Sequence, residues 1–310
     1  MFIDYHAITH PGRVRQNNED AYLVSALDGE EPLVNGMRPS SPIRQNGILA
    51  AVADGMGGAA SGEIASREGL ASVAVNLFGH WGRFPAATAV EADLLRALRH
   101  AAEAASAAVH RYADADRGSR GMGSTLTAAV VWNGHVYVAQ VGDSRAYLFR
   151  SGELVPLTED QTLVRELVNR GALTPEQARR HPQRSVITQA LGGPEPIKVG
   201  LSKATLRRGD RLLLCTDGLY GELPDPRLAA ILDLGLPARQ TLERMLEEAL
   251  AQGGHDNITA LLLELGDPAF PLPVAGERVK VTEPAAPAQT PLREGPALLS
   301  RLGRILGRNR

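Results

Sequence analysis

Asn133-Gly134 constrains the fold of this chain more than any other dipeptide in it. It separates the β-branched run Ser124 to Trp132 from the alternating apolar run His135 to Val141. Both residues of such a turn need positive φ, which Asn and Gly adopt most readily, so the two runs are expected to form a β-hairpin. Ser151-Gly152, between Ala146–Arg150 and Glu153–Leu157, predicts a second hairpin. Consecutive hairpins build antiparallel sheet. Helices are expected over Glu63 to Trp81, Glu91 to Tyr112 and Ala238 to Ala251, the last with Leu242, Leu246, Ala249 and Leu250 on one face. Strands mixed with segregated helices predict α+β layers rather than a βαβ wind.

With 310 residues, 44% of them hydrophobic, the chain can bury a large core in one large domain or two ordinary ones. A formal net charge of −2 gives no overall basic field, so nucleic acid is not an expected partner. Cys215 is the single cysteine and sits in the apolar run Leu212 to Cys215, where it reads as a small core residue. The start of the chain lacks the pattern of a secretory signal, and no apolar stretch approaches the roughly 18 residues of a membrane span. A cytoplasmic protein without a transmembrane segment is expected. Asp28 to Asn46 reads as a surface loop between two strands, and Asp267 to Gly295 as a flexible Pro/Ala-rich tail. The basic end, Pro296 to Arg310, carries Leu299, Leu302, Ile305 and Leu306. Its readings are a frayed solvated end or a short amphipathic contact with a membrane surface or a partner.

Four aspartates stand at the edges of apolar strands. Ile48–Ala53 runs into Asp54-Gly55, Val136–Val141 into Gly142-Asp143, and Leu212–Thr216 into Asp217-Gly218, while Asp256-Asn257 precedes Ile258–Leu265. Turn chemistry explains any one of them, because Asp and Gly favour turns. If the strand ends converge, the carboxylates repel one another and must hold protons or share a cation. All-oxygen donors suit Mg²⁺ or Mn²⁺ rather than zinc. A glycine at position 55 lets its carbonyl approach a metal closely. The string Arg15-Gln-Asn-Asn-Glu19-Asp20 adds two acids and an arginine whose planar fork suits phosphate.

Seven strings together resemble the bacterial type 2C metal-dependent protein phosphatases. They are Arg15-Gln-Asn-Asn-Glu19-Asp20, Ala53-Asp54-Gly55-Met56-Gly57-Gly58, Gly121-Met122-Gly123-Ser124-Thr125 and Val141-Gly142-Asp143-Ser144-Arg145, then Ile187-Thr-Gln-Ala-Leu191-Gly192, Cys215-Thr216-Asp217-Gly218-Leu219 and Gly254-His255-Asp256-Asn257-Ile258-Thr259. They occur in family order and cover roughly residues 8 to 265.

The resemblance implies an αββα sandwich of two antiparallel sheets flanked by helices, with metals in the cleft between the sheets. It makes 1–266 the catalytic domain, including a flap at about 160–186, and 267–310 a flexible tail. Asp54 is expected to bridge two Mn²⁺ or Mg²⁺ ions, joined on one by Asp217 and Asp256. The other ion would use the Gly55 carbonyl, with Glu19 or Asp20 acting directly or through water. Arg15 would bind the substrate phosphate. Asp143 and Asp217, and less firmly Ser185, match a third, weaker metal site.

A water between the metals, acidified toward hydroxide, would attack phosphorus in line. Where eukaryotic relatives often carry a His after Asp-Gly, this chain has Met56, so the proton for the leaving alkoxide falls to water. His255 is read as a turn residue that orients Asp256. The implied function is hydrolysis of phosphoserine and phosphothreonine on phosphorylated proteins, opposing a Ser/Thr protein kinase. A pseudophosphatase acting as a metal-stabilised binding module is the alternative from another class. Arg165, Arg170, Arg179, Arg180 and Arg184 make the flap basic, either as a phosphopeptide-facing surface or as a solvated helical face.

Overall fold

Side chains along the central strands alternate between different cores. Ile48, Ala50 and Val52 enter one apolar cluster, whereas Leu49, Ala51 and Ala53 enter a second. Leu212 and Leu214 join the first, and Leu213 and Cys215 a third. Strands buried on both faces read as continuous apolar runs, which is why these segments show little polar alternation.

The computed structural model describes residues 2–27, 33–34, 41–42, 47–57, 61–82, 89–193 and 196–284. Strands β1 (Phe2–His10), β2 (Asp20–Ala26), β3 (Leu33–Val34), β4 (Ser41–Pro42) and β5 (Ile48–Met56) come first. Helices α1 (Ser61–His80) and α2 (Glu91–Ala115) follow, then β6 (Gly123–Ser124), β7 (Leu126–Trp132), β8 (His135–Val141), β9 (Arg145–Arg150) and β10 (Glu153–Pro156). Two short helices, α3 (Leu163–Asn169) and α4 (Pro175–Arg179), lead to β11 (Gly200–Thr205) and β12 (Arg211–Cys215). Helices α5 (Asp217–Tyr220), α6 (Asp225–Asp233) and α7 (Ala238–Gln252) precede β13 (Ile258–Glu264) and β14 (Val281–Thr282).

Among the described residues one sheet runs β10-β9-β12-β13-β1-β4, and the other β14-β11-β8-β7-β5-β2-β3 with β6 alongside β5. Every pairing is antiparallel. The first core lies between the sheets. The second lies under α1 and α2, and the third under α6 and α7. The result is the expected αββα sandwich. No helix among the described residues is long and apolar enough to cross a membrane.

Both predicted hairpins form. Asn133 and Gly134 have φ of 47° and 74°, and Ser151 and Gly152 of 51° and 84°. The expected strand Ser124 to Trp132 is interrupted at Thr125, whose hydroxyl accepts from the Asp54 amide.

Two peripheral segments differ from expectation. Within Asp28–Asn46, β3 pairs with β2 and β4 with β1, so each sheet gains an edge strand where only a loop was expected. The segment after residue 266 does not begin as a flexible tail. Phe270 is fully buried in the core between the sheets, Glu277 is ion-paired to Arg207, and β14 pairs with β11. Composition pointed to a tail because Pro and Ala dominate, but one aromatic anchor and two strand residues suffice to dock this segment. The basic end 296–310 lies outside the described residues.

Candidate metal centre

Register places the acids. Asp20 opens β2 directly opposite Asp54 near the end of β5. In the other sheet, the end of β12 lies beside the start of β13, with Cys215 opposite Ala260. This brings Asp217, at the start of α5, close to Asp256. Asp143 follows β8 on the eight-stranded side. Strand ends from both sheets therefore meet at one end of the sandwich.

There they line a cavity of about 510 Å³ whose wall includes Arg15, Glu19, Asp54, Gly55, Met56, Asp143, Ser185, Asp217 and Asp256. Asp20 lies behind it, 2% exposed. The nine residues singled out from sequence, Asp20 included with Arg15, Glu19, Asp54, Gly55, Asp143, Ser185, Asp217 and Asp256, thus fall in or directly behind one site. The carboxylates line the wall rather than closing on a point, and among the described residues no three draw together into a formed cage. Like charges keep apart unless a cation lies between them.

Their protonation reflects that strain. Burial, then the charges of Asp20 and Asp217, hold Asp54 well above the usual carboxylate range. Burial pushes Asp20 up to about 7, against hydrogen bonds from Thr216 and Thr259. Burial and Asp217 push Asp143 up to about 7. Asp217 rises to about 6 through burial and Asp256, opposed by a hydrogen bond from Asp54. Burial also raises Glu19. Asp54 and Asp217 are therefore crowded where a cation would serve both.

A hard divalent cation fits this donor set. Every donor is oxygen, and Asp20 Oδ1 and Asp217 Oδ1 are buried with no hydrogen-bond partner, an expensive state that a metal would relieve. Gly55 has no room for a side chain, since a Cβ there would stand 2.0 Å from the Gly62 carbonyl oxygen on α1. Gly218 is equally tight, 2.0 Å from the Asn257 carbonyl oxygen. These close approaches bind the strand ends to the adjoining α1 and β13 regions.

Most of the polar neighbours that hold the acids carry no charge. Thr216 Oγ1 donates to Asp20 Oδ2 at 2.7 Å and accepts from the Thr259 amide at 3.0 Å. Ser124 Oγ donates to the Asp54 carbonyl at 3.0 Å. Asn257 accepts from the Glu19 amide at 2.8 Å and donates to the carbonyls of Pro11 and Asn17 at 3.0 and 2.8 Å. Arg15 Nη2 donates to Asp256 Oδ2 at 2.7 Å, at a half-exposed position on the cavity wall. Sequence reasoning assigned no role to Thr125, Thr216 or Asn257. All three sit inside the quoted strings, the only signal that marked them.

Met56 lines the cavity and carries no titratable group. His255 is exposed and directed at Glu222, with Nδ1 2.7 Å from Oε1, which fits a turn residue. Ser185 reaches the cavity from the segment after α4. Of the flap arginines, Arg165, Arg170 and Arg180 lie 3.6 to 3.9 Å from Glu159, Glu166 and Glu176, as on a solvated helical face.

An all-oxygen carboxylate cavity between two antiparallel sheets is a site suited to hard divalent cations in an αββα sandwich. Comparison with known proteins specifies it further. The family model described as Protein phosphatase 2C matches residues 41–262, and the chain belongs to that family. It is 36% identical over 267 residues to the serine/threonine protein phosphatase PstP of Mycobacterium tuberculosis, covering 86% of this chain and 46% of that protein. The chain thus spans about half the length of that relative. It is 32% identical over 256 residues to the serine/threonine phosphatase stp of Listeria monocytogenes, covering 83% of this chain and 93% of that one. The crystal structure of the PstP catalytic domain in complex with two manganese ions superposes with a TM-score of 0.67 at 34% identity, covering 86% of this chain and 99% of that one.

Proposed function

We propose that this protein hydrolyses phosphoserine and phosphothreonine in proteins, using two Mn²⁺ or Mg²⁺ ions and in some states a third. The observation that carries it is the convergence of buried carboxylates from both sheets on one cavity, two with orphaned oxygens. Asp54, Asp217, Asp256 and the Gly55 carbonyl would hold the two ions, Asp54 serving both. Asp20 is the better placed of the two N-terminal acids to act through water, because its free oxygen is buried and Thr216 holds the other. Glu19 faces the cavity itself. Asp143 and Ser185 would serve the weaker site.

Bound divalent cations supply a nucleophilic water at neutral pH and offset phosphoryl charge. The chain does the rest. Arg15, released from Asp256, clasps the phosphoryl oxygens with its planar fork. Met56 has no proton to give and His255 is committed to Glu222, so the leaving alkoxide takes its proton from water. Such an enzyme opposes a Ser/Thr kinase in cytoplasmic signalling. The intact set Arg15, Asp54, Asp217 and Asp256 favours catalysis over a pseudophosphatase.

The test is hydrolysis of a phosphothreonine peptide with Mn²⁺ or Mg²⁺, wild type beside Asp54→Asn and Asp217→Asn. Each variant is expected to lose about a hundredfold or more in kcat, since such groups act together. Activity that survives chelation, or an Asp217→Asn enzyme with normal turnover, refutes the assignment.

A further inference from the structure

A second cavity, of about 450 Å³, is lined by Arg150, Thr205, Gly276, Glu277, Arg278 and Lys280. It lies at the far end of β9 from Arg145, and so at the opposite end of that strand from the Asp143 side of the metal centre. Docking of the segment after residue 266 creates it, since four of its six lining residues belong to that segment.

Its charge is one-sided. Arg150 is 4% exposed and grips Asp210 through Nε and Nη2 at 2.8 and 2.7 Å. Its Nη2 also donates to the Thr205 carbonyl. Its Nη1 is held only by a long ion pair to Glu277, at 3.8 Å. Glu277 is already engaged by Arg207 at 2.7 Å. Arg278 and Lys280 are exposed and have no ion-pair partner among the described residues. With Asp210 and Glu277 consumed by Arg150 and Arg207, two positive charges on the rim are left uncompensated.

A solvated basic face is the ordinary use of surface lysine and arginine, but it needs neither a buried guanidinium with one loosely paired edge nor a cavity in front of it. The lining holds no aromatic ring on which a base would stack. We infer that this cavity binds a compact phosphate-bearing anion, inorganic phosphate or a small phosphate monoester. The guanidinium edge of Arg150 would form its floor, and Arg278 and Lys280 its rim. An anion seated there would also staple residues 276–280 onto β9 and β11. This inference does not depend on the catalytic reading.

The test is titration of the full chain, chelated with EDTA, with inorganic phosphate and with O-phosphoserine, followed by ³¹P NMR. Chelation leaves the metal centre a cluster of acids that repels anions. Saturable binding is expected, about tenfold or more weaker in Arg278→Gln/Lys280→Gln and unchanged in Arg15→Gln. Tighter phosphoserine binding would identify a monoester as the ligand, and equal or tighter phosphate binding the free anion. Both replaced side chains are exposed, so the double variant is expected to keep the wild-type melting temperature. No saturable binding, or binding that is lost in Arg15→Gln or indifferent to the double variant, overturns the site.

Discussion

Thr216 Oγ1 donates to Asp20 Oδ2 and also receives the Thr259 amide. Neutral partners of this kind set how readily a buried acid gives up its proton to a metal. Thr216→Val keeps the shape and removes both bonds. It should push Asp20 further up and weaken divalent-metal affinity about 10- to 100-fold at neutral pH. Calorimetric metal titration at pH 7 and again at pH 8.5 checks this, with a smaller deficit expected at the higher pH. An unchanged affinity at pH 7 would show that Asp20 takes no part. The charged residues of the site were legible because Asp beside Gly at a strand end is a visible pattern. Thr216 and Asn257 were not, because their partners Asp20 and Glu19 lie 196 and 238 residues away, a separation that only the fold closes.

At the scale of elements, the loop from Pro11 to Glu19 is tied to the start of β13 by the three hydrogen bonds of Asn257. Because Arg15 rides on that loop, Asn257→Ala should raise KM for a phosphopeptide more than it lowers kcat, on the order of tenfold. Equal KM values would separate Asn257 from substrate binding. The segment after residue 266 acts on stability instead. Phe270 is fully buried among Leu206, Leu265 and the facing strands. Phe270→Ala should cost about 3–5 kcal/mol, read as a shift of the denaturation midpoint. A chain cut after Gly266 should be destabilised at least as much. The folded domain therefore extends past residue 266, at least through β14. The hairpins at Asn133 and Ser151 were readable because turn chemistry is local. The docking of Phe270 was not, since its surroundings come from strands far apart in the chain.

The whole molecule holds its acids at a cost that depends on pH. Asp20 and Asp143 titrate near 7, Asp217 near 6 and Asp54 well above its usual range, whereas an unfolded carboxyl releases its proton near 4. Between about pH 4 and 7 the folded, chelated protein therefore binds more protons than the unfolded chain. Its stability is greatest at the acid end of that window and falls as pH rises. His6, lowered chiefly by burial, works in the opposite direction and offsets part of the loss. Glu248, held near 2 by Arg227 and Arg244, acts below this window. Thermal melts in EDTA should accordingly fall from pH 5 to pH 8, by a few degrees for each 1–2 kcal/mol lost. Mn²⁺ reverses the trend, because a cation replaces the shared protons and binds better once they have left. The melting-temperature gain from a fixed Mn²⁺ concentration should therefore be larger at pH 8 than at pH 6. A gain independent of pH would mean that the metal does not compete with protons for these carboxylates. Proton uptake and metal binding would then have to be assigned to different places in the molecule.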